Sequence, residues 1–468
     1  MTNFETRATP RSRTRLSAAR AVFIAAAAGA LSLAACHSGP PPAPPAPPPA
    51  LTDSESAALR WIDAHASELA IADSVPSAGE RQAIESIASG ARVIGLSELT
   101  EGTSQFPLVV RHALIALADA APPVRGLAIQ APMPEAMEID RYVRTGTGDP
   151  RRLLRTLGSP RFEAPEMLGV VEAIRRWNQG HGTDRQIGFY GFEIPNGTHA
   201  VATVLGLPDS IAGRALNLWM RSQLACVAND EAAHWGLEGR ASDSTFWNQC
   251  GTIVARVADS VAALHARVGG SSPSAVRVAY ADEMAKVLKH YVSTGLRHLP
   301  REQTNAAHVM FLLNSLGADA RLVVWGGDVE MGRLTLGRTT VQTGVPLGTE
   351  LGAAYRTIAF AVGGGRTRTR RPAAGPMGNP GGYGAIPIHA PEQDTYEDVL
   401  ARATRDAYWL DLRPLPSDTA GGWLRGPRRM RLITDLYTPD APQLFDTPLE
   451  FPKNYDAIVF VRTVTATR

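Results

Sequence analysis

The sequence predicts an α/β fold in which a mostly parallel sheet is flanked by helices and interrupted by a helical insertion. Short apolar runs of strand length alternate along the chain with segments whose apolar residues recur at helical spacing. The stretch from about 199 to 320 shows helical patterning throughout and divides the strands into two groups. Strands separated by helices are typical of parallel sheets that are covered on both faces.

The individual elements start at residue 51. Residues Thr52 to Glu55 form a capping-box pattern that predicts a first helix, and a second helix is expected over 78–88. Further helices are expected to begin near residues 104, 134, 165 and 347. The predicted strands are 91–96, 126–129, 186–192, 321–325, 357–362, 409–412 and 457–461.

The first 35 residues have the charge order of a secretory signal. Arginines precede an apolar run from Ala21 to Ala35, which is too short to span a bilayer and is followed at once by Cys36. The sequence Leu33-Ala34-Ala35-Cys36 resembles a bacterial lipobox, in which the cysteine takes the lipid. We therefore expect a signal peptide over 1–35 and a lipoprotein anchored through Cys36 in the bacterial cell envelope, facing the periplasm or the exterior.

A proline-rich tether follows the anchor and occupies residues 36–50. Its run PPPAPPAPPP is expected to be extended, which would hold the domain of residues 51–468 away from the membrane. The leader carries five basic residues and one acid, so removing it leaves 42 basic and 44 acidic residues. This balance gives no reason to expect nucleic acid as a partner.

Two cysteines remain in the globular region, Cys226 and Cys250. In an oxidising compartment they are candidates for a disulfide, and the alternative is two buried thiols. They are too few and too far apart, without histidine partners nearby, for a zinc site.

Polar residues follow several predicted strands at the point where each strand ends. Because ligands bind beyond the carboxyl ends of parallel strands, these side chains could converge on one site. An acid cluster there could supply a general base, an acid with a raised pKa, or ligands for a divalent metal. The alternative is that they cap the helices that follow. These residues are Glu98, Glu101, Gln130, Glu193, Asp328 and Glu330.

Several of these segments resemble the erythromycin esterase family. They are VIGLSELTEGTSQF, LAIQAPMPEAMEIDRYVRTGTGDP, IGFYGFEI, REQTNAAHVMFLLNSLGADARLVVWGGDVEMG and YDAIVFV, in family order over nearly the whole globular region. The resemblance implies an enzyme that opens lactones with activated water and needs no cofactor. It also implies that Arg111, in the helix after the first motif, belongs to the site.

The residues that perform the family's chemistry are largely replaced. The family's first motif, Gly-Glu-x-x-His-Gly, keeps its glutamate as Glu98 but has Glu101 in place of the histidine. Gln130 stands in place of a glutamate, and Gly327 and Glu330 stand where two further histidines belong. The chain is thus a divergent member in which carboxyl groups would have to replace imidazoles.

Two hypotheses about function follow. In the first, the protein is a hydrolase of the cell envelope that acts on an ester or lactone through carboxylate-activated water, with catalytic residues among Glu98, Glu101, Arg111, Gln130, Asp328 and Glu330. True macrolide esterase activity is not expected. In the second, it is a catalytically silent, membrane-anchored protein of the same fold that binds a small molecule.

Other motifs offer no alternative machinery. His112 and His308 lie among apolar neighbours on predicted helices and are expected to be packed or hydrogen-bonded rather than catalytic. The segment from Gly363 to Gly384 is rich in Gly, Pro and Arg, which predicts a mobile surface loop, or else a lid or an anion contact.

Overall fold

In the computed structural model, the folded unit begins at Ala50. The residues described are 49–72, 75–195, 197–228, 244–270, 272–296, 299–336, 340–373 and 380–468. The expected signal peptide, Cys36 and most of the tether lie outside them. No helix within these ranges is long and apolar enough to cross a membrane.

A nine-stranded sheet forms the centre of the unit, and the predicted fold class is confirmed. Its order is β1-β10-β13-β8-β2-β5-β3-β4, with β9 paired to β8. The pairs that link β13, β8, β2, β5, β3 and β4 are all parallel, whereas β1, β10 and β9 pair antiparallel at the margins. Two short two-stranded sheets, β11-β12 and β6-β7, lie outside it. The strands are β1 Ser67–Glu68, β2 Val93–Glu98, β3 Val124–Pro132, β4 Gly188–Glu193, β5 Arg321–Gly327, β6 Thr335–Leu336, β7 Thr340–Val341, β8 Tyr355–Arg370, β9 Tyr383–Ile388, β10 Ala407–Asp411, β11 Arg428–Arg431, β12 Asp446–Leu449 and β13 Ala457–Val464.

Helices cover both faces of this sheet. The capping box at Thr52 is present, and its hydroxyl and the Glu55 carboxylate satisfy each other's backbone N–H groups at the start of α1. The helices are α1 Asp53–His65, α2 Ala78–Ile87, α3 Gln105–Ala118, α4 Met133–Thr145, α5 Pro150–Arg155, α6 Pro165–Gln179, α7 Thr198–Leu205, α8 Asp209–Ala212, α9 Arg214–Gln223, α10 Ala225–Ala228, α11 Ser244–Val268, α12 Pro273–Leu296, α13 Arg301–Ser315, α14 Gly344–Leu351, α15 Tyr396–Leu400, α16 Thr419–Arg425 and α17 Phe451–Asn454.

The central strands are buried on both sides, which explains their continuous apolar sequences. On one face, alternate residues such as Ile94 and Leu96 pack with α2, α3 and α6. On the other face, Val93 and Val324 pack with α13 and α14. The period of two along each strand thus assigns successive side chains to opposite cores.

The described part of the segment between β4 and β5 consists mainly of helices joined by short turns. Helices α7 to α12 enclose a separate apolar cluster that includes Val257 and Leu288. Within this cluster Cys226 and Cys250 form a disulfide with a Cα–Cα distance of 5.9 Å.

The prediction of a surface loop from Gly363 to Gly384 is wrong at both ends of that range. Strand β8 continues to Arg370, and β9 starts at Tyr383 and pairs with it antiparallel. The threonines of the repeat at 366–370, Thr367 and Thr369, are fully buried, so alternate side chains point inward as in a strand. The alternation was missed in the sequence because the segment is rich in glycine and arginine and its inward residues are polar threonines.

Candidate active site

The carboxyl ends of β2, β5, β3 and β4 meet at one edge of the sheet because these four strands are neighbours and parallel. Glu98 is the last residue of β2, and Glu193 is the last residue of β4. Asp328 and Glu330 follow β5 directly. The sheet therefore gathers acids that lie far apart in the sequence.

Glu98 is the most deeply buried of these acids, with 3 % of its surface exposed. Its Oε2 accepts a hydrogen bond from the indole Nε1 of Trp325 at 3.2 Å. Burial, followed by the charge of Glu101, raises the pKa of Glu98 to about 8, despite the opposing charge of Arg161. At neutral pH this carboxyl group is therefore mainly protonated and can donate a proton.

Glu101 lies beside a cation that the sequence analysis did not identify. Its Oε1 is 3.1 Å from Nη1 of Arg161. The backbone of Glu101 is also fixed, since its N–H donates to the carbonyl of Ile433 at 2.8 Å and its carbonyl accepts from the hydroxyl of Thr367. Burial raises the pKa of Glu101, whereas the charge of Arg161 lowers it.

Gln130 contributes structure to the site rather than a titratable group. Its side-chain oxygen accepts a hydrogen bond from the backbone N–H of Gly327 at 3.0 Å. Its backbone carbonyl accepts from Nη2 of Arg161 at 3.3 Å. The amide thus ties the end of β3 to the end of β5.

Asp328 combines an unusual backbone conformation with an unsatisfied side chain. Its φ is +48°, in the left-handed region that aspartate tolerates better than most residues. Its Oδ1 is buried and has no hydrogen-bond partner among the described residues. Burial, followed by the charge of Glu101, raises the pKa of Asp328 to about 7.

Glu330 is held from the opposite side by α13 and by the segment before α14. Its Oε1 accepts hydrogen bonds from Nδ2 of Asn305 at 3.3 Å and from the hydroxyl of Thr343. Arg301 lies 3.9 Å from its Oε2 and also forms an ion pair with Glu193 at 2.5 Å. Burial raises the pKa of Glu330, and the Thr343 hydrogen bond and Arg301 oppose that shift.

Arg111 is not brought to these acids. It lies on α3 and lines a small cavity with Trp177 of α6 and Ile187, which precedes β4. Burial and the nearby charge of Arg176 lower its pKa. The structure therefore gives Arg111 no contact with the candidate site.

Both histidines are buried in hydrogen-bonded positions, as the sequence analysis expected. Nδ1 of His112 is 2.8 Å from the Glu80 carboxylate, which also accepts from the Trp409 indole. Nδ1 of His308 lies 2.9 Å from the carbonyl of Phe192, and burial lowers the pKa of His308 to about 4.

A larger cavity of about 680 Å³ lies between α12, α13 and the segment around α14. Its lining includes His290, Met310 and Phe311, and none of the clustered acids contributes to it. No group of three or more His, Cys, Asp or Glu side chains in the described ranges has the arrangement of a metal site.

A family model confirms the resemblance seen in the sequence. The erythromycin esterase model matches residues 124–464. The chain belongs to the erythromycin esterase family. Among curated proteins, no significant match is found.

Solved structures share the fold of this family member at low sequence identity. A succinoglycan biosynthesis protein has a TM-score of 0.70 at 14 % identity, and the match covers 90 % of this chain and 100 % of that one. A protein from Bacillus cereus has a TM-score of 0.66 at 17 % identity, over 89 % and 99 % of the two chains. A histidine-to-asparagine mutant of the erythromycin esterase EreC, in its open conformation, has a TM-score of 0.54 at 15 % identity, over 86 % and 98 %.

Three further residues contact the clustered acids, and the sequence patterns did not identify any of them as part of the site. Arg161 lies on a short 3₁₀ helix, Pro160–Glu163, and Asn305 on α13. Thr343 precedes α14. The resemblance of the segment REQTN could have drawn attention to Arg301 and Asn305, but nothing in the sequence around Arg161 marks it.

Replacing Glu98 by glutamine is expected to stabilise the protein increasingly as the pH rises. The folded state retains a proton on Glu98 up to about pH 8, whereas an exposed glutamate loses it near 4.5. The folded state therefore binds more protons between these values, and the contribution of Glu98 to the free energy of unfolding falls as the pH rises. Glutamine removes that loss. Thermal unfolding from pH 5 to 9 should show the gap in Tm between variant and wild type widening with pH.

The matched control for this experiment is Glu68→Gln, because Glu68 is exposed on an edge strand. Its gap in Tm should be flat over the same range. A flat gap for Glu98→Gln as well would contradict the raised pKa.

Proposed function

We propose that the protein hydrolyses an ester or lactone bond of a small molecule by means of water activated by a carboxylate. The observation that carries this proposal is that two acids at the ends of neighbouring strands, Glu98 at the end of β2 and Asp328 after β5, are both buried and both have raised pKa values. Asp328, with a pKa of about 7 and a buried oxygen that has no partner among the described residues, is suited to accept a proton. Glu98, with a pKa of about 8, is suited to donate one.

The reaction would proceed by two proton transfers. Asp328 accepts a proton from water as the water oxygen bonds to the carbonyl carbon of the substrate. The tetrahedral intermediate then breaks its bond to the leaving oxygen, which takes the proton from Glu98 and departs as an alcohol. Proton transfer from Asp328 back to Glu98, directly or through solvent, restores the starting state.

The other two acids are less suited to serve as the base. Glu101 is engaged by Arg161, and Glu330 accepts from Asn305 and Thr343. Hydrogen bonds and ion pairs to the ionised form make a carboxylate a weaker base. This assignment differs from a simple replacement of the family's histidines, because Asp328 stands between the two positions that held them.

The test is hydrolysis of a panel of substrates by the full-length chain and its Glu98→Gln variant, with and without added divalent cations. The panel contains a macrolide, simple lactones, alkyl esters and p-nitrophenyl esters. A general acid matters most for poor leaving groups, so Glu98→Gln should lose about 10²–10³-fold in rate on alkyl esters and much less on p-nitrophenyl esters. Glu68→Gln should match the wild type.

Two outcomes would count against this proposal. If Glu98→Gln lowered the rate equally on alkyl esters and on p-nitrophenyl esters, Glu98 would not be the general acid. Absence of turnover on every substrate, with a folded protein by circular dichroism, would leave the membrane-anchored ligand-binding protein as the interpretation.

We further propose that this domain acts at the bacterial cell envelope, held by a lipid on Cys36. The support comes from the lipobox-like sequence and from the proline-rich run that follows it. The partners expected are thus the membrane, through Cys36, and a small-molecule ester or lactone.

A further inference from the structure

Arg161 is the cation closest to the clustered acids at the ends of β2 and β5. Its guanidinium donates to the Glu101 carboxylate at 3.1 Å and to the carbonyl of Gln130 at 3.3 Å. It also stacks over the ring of Phe162, with its central carbon 4.7 Å from the ring centroid. Only 21 % of its side chain is exposed, so the charge acts in a poorly solvated environment.

The ion pair formed by Glu101 and Arg161 occupies the space beside Gly327. A Cβ on residue 327 would lie 1.9 Å from Oε1 of Glu101 and 2.7 Å from Nη1 of Arg161. Both contacts are far below van der Waals distance, so a side chain at 327 would require the Glu101 carboxylate and the Arg161 guanidinium to move from these positions. In the resemblance to the family, residue 327 is a histidine position. A histidine at this position would therefore displace the ion pair from where it lies in this chain.

We propose that Arg161 is a positioning residue, which fixes the Glu101 carboxylate in the space beside Gly327 so that the ion pair sets the charge of the site. The inference rests on the proposed function, because Glu98 and Asp328 are the groups whose charge the ion pair would control. With Arg161 present, its guanidinium donates to the Glu101 carboxyl group and opposes the rise in pKa that burial causes there. Without it, Glu98, Glu101 and Asp328 would share one buried region without the cation that lowers the pKa of Glu98 and Glu101, while Asp435 would still raise that of Glu101. The region should therefore take up a proton.

The experiment is infrared spectroscopy of the full-length chain, which detects the C=O stretching band of protonated carboxyl groups. Arg161→Met keeps an unbranched side chain as long as the aliphatic stem of arginine and removes the charged guanidinium group. At neutral pH we expect this variant to gain roughly one protonated carboxyl group per molecule. Adding Glu101→Gln should remove the gain, and Arg161→Lys should restore the wild-type band. A merely structural role for Arg161 would not produce this pattern of gain and rescue.

The matched control is Arg402→Met. Arg402 forms an ion pair with Asp398, and their side chains are 21 % and 14 % exposed, close to the 21 % and 16 % of Arg161 and Glu101. Asp398 lies on α15 and Arg402 just after that helix, so this ion pair is not part of the candidate site. Its removal should leave the infrared band unchanged between neutral pH and pH 8.

Gly327→Ala tests the same inference without altering a charged residue, and it carries the test if Arg161→Met does not fold. The added methyl group should displace the ion pair and produce the same gain in the infrared band. Gly169→Ala is its control, because a Cβ there meets no atom within 4 Å. A wild-type band in both Arg161→Met and Gly327→Ala would overturn the proposal.

These readouts separate this inference from the proposed function. A changed infrared band in a protein that hydrolyses nothing would support the role of Arg161 and reject the hydrolase. If the protein hydrolyses an ester but its infrared band is unchanged in Arg161→Met, the hydrolase proposal is supported and the role of Arg161 is rejected.

Discussion

Replacing Asp328 by asparagine is expected to reduce kcat/KM for ester hydrolysis by about 10²–10⁴-fold, the usual contribution of a general base. Asparagine has nearly the same shape and also tolerates the left-handed backbone conformation at φ +48°. The loss would therefore report the missing carboxylate rather than a distorted turn. The measurement is steady-state hydrolysis of the best substrate from the panel.

The pH profile provides a second readout of the same variant. In the wild type, kcat/KM should rise as the pH passes about 7, where Asp328 becomes ionised. It should fall above about 8, where Glu98 loses the proton that the leaving group needs. In Asp328→Asn the rise near pH 7 should disappear.

Asp394→Asn is a close control, because Asp394 also has a positive φ, +63°, but is exposed and lies just before α15 rather than at the end of a central strand. It should keep wild-type activity and the wild-type profile. If Asp328→Asn kept them too, Asp328 would not be the base, and Glu101 or Glu330 would replace it as the candidate.

Replacing Phe106 by alanine is expected to have the largest effect on stability, about 3–5 kcal/mol in the free energy of unfolding. Phe106 is 1 % exposed and packs edge-on against Trp325, with ring centroids 5.2 Å apart, and against Phe360 at 4.8 Å. The substitution removes both aromatic contacts and leaves a cavity between α3 and the sheet. Chemical denaturation measures the loss.

The same substitution should also alter the position of Trp325, whose indole donates a hydrogen bond to Glu98. Tryptophan fluorescence should change even under conditions in which the variant is folded. Leu444→Ala is the control, since Leu444 is 75 % exposed and its truncation should change the free energy of unfolding by less than about 0.5 kcal/mol. A loss below about 1 kcal/mol for Phe106→Ala would show that this aromatic cluster is not tightly packed.

Much of the sheet could be predicted from local patterns, because buried parallel strands are continuous apolar runs of characteristic length. The predicted strand 321–325 corresponds to β5, Arg321–Gly327, and 457–461 to β13, Ala457–Val464. The pattern was hidden where β8 carries alternating arginines and threonines. There the inward side chains are threonines, which are polar yet fully buried at Thr367 and Thr369.

The sequence by itself determined the family, the fold class and the set of acids at the strand ends, because each depends on residue order and on a local period. Only the tertiary structure decided what those acids can do. Arg161 reaches Glu101 from a 3₁₀ helix 60 residues away. Asp328 has a buried oxygen without a partner among the described residues, and burial raises the pKa of Glu98 to about 8. Arg111, in the helix after the first motif, lines a small cavity with residues of α6 instead. The physical reason is that the charge state of a buried carboxyl group depends on neighbours in space, and these come from parts of the chain that no local pattern connects.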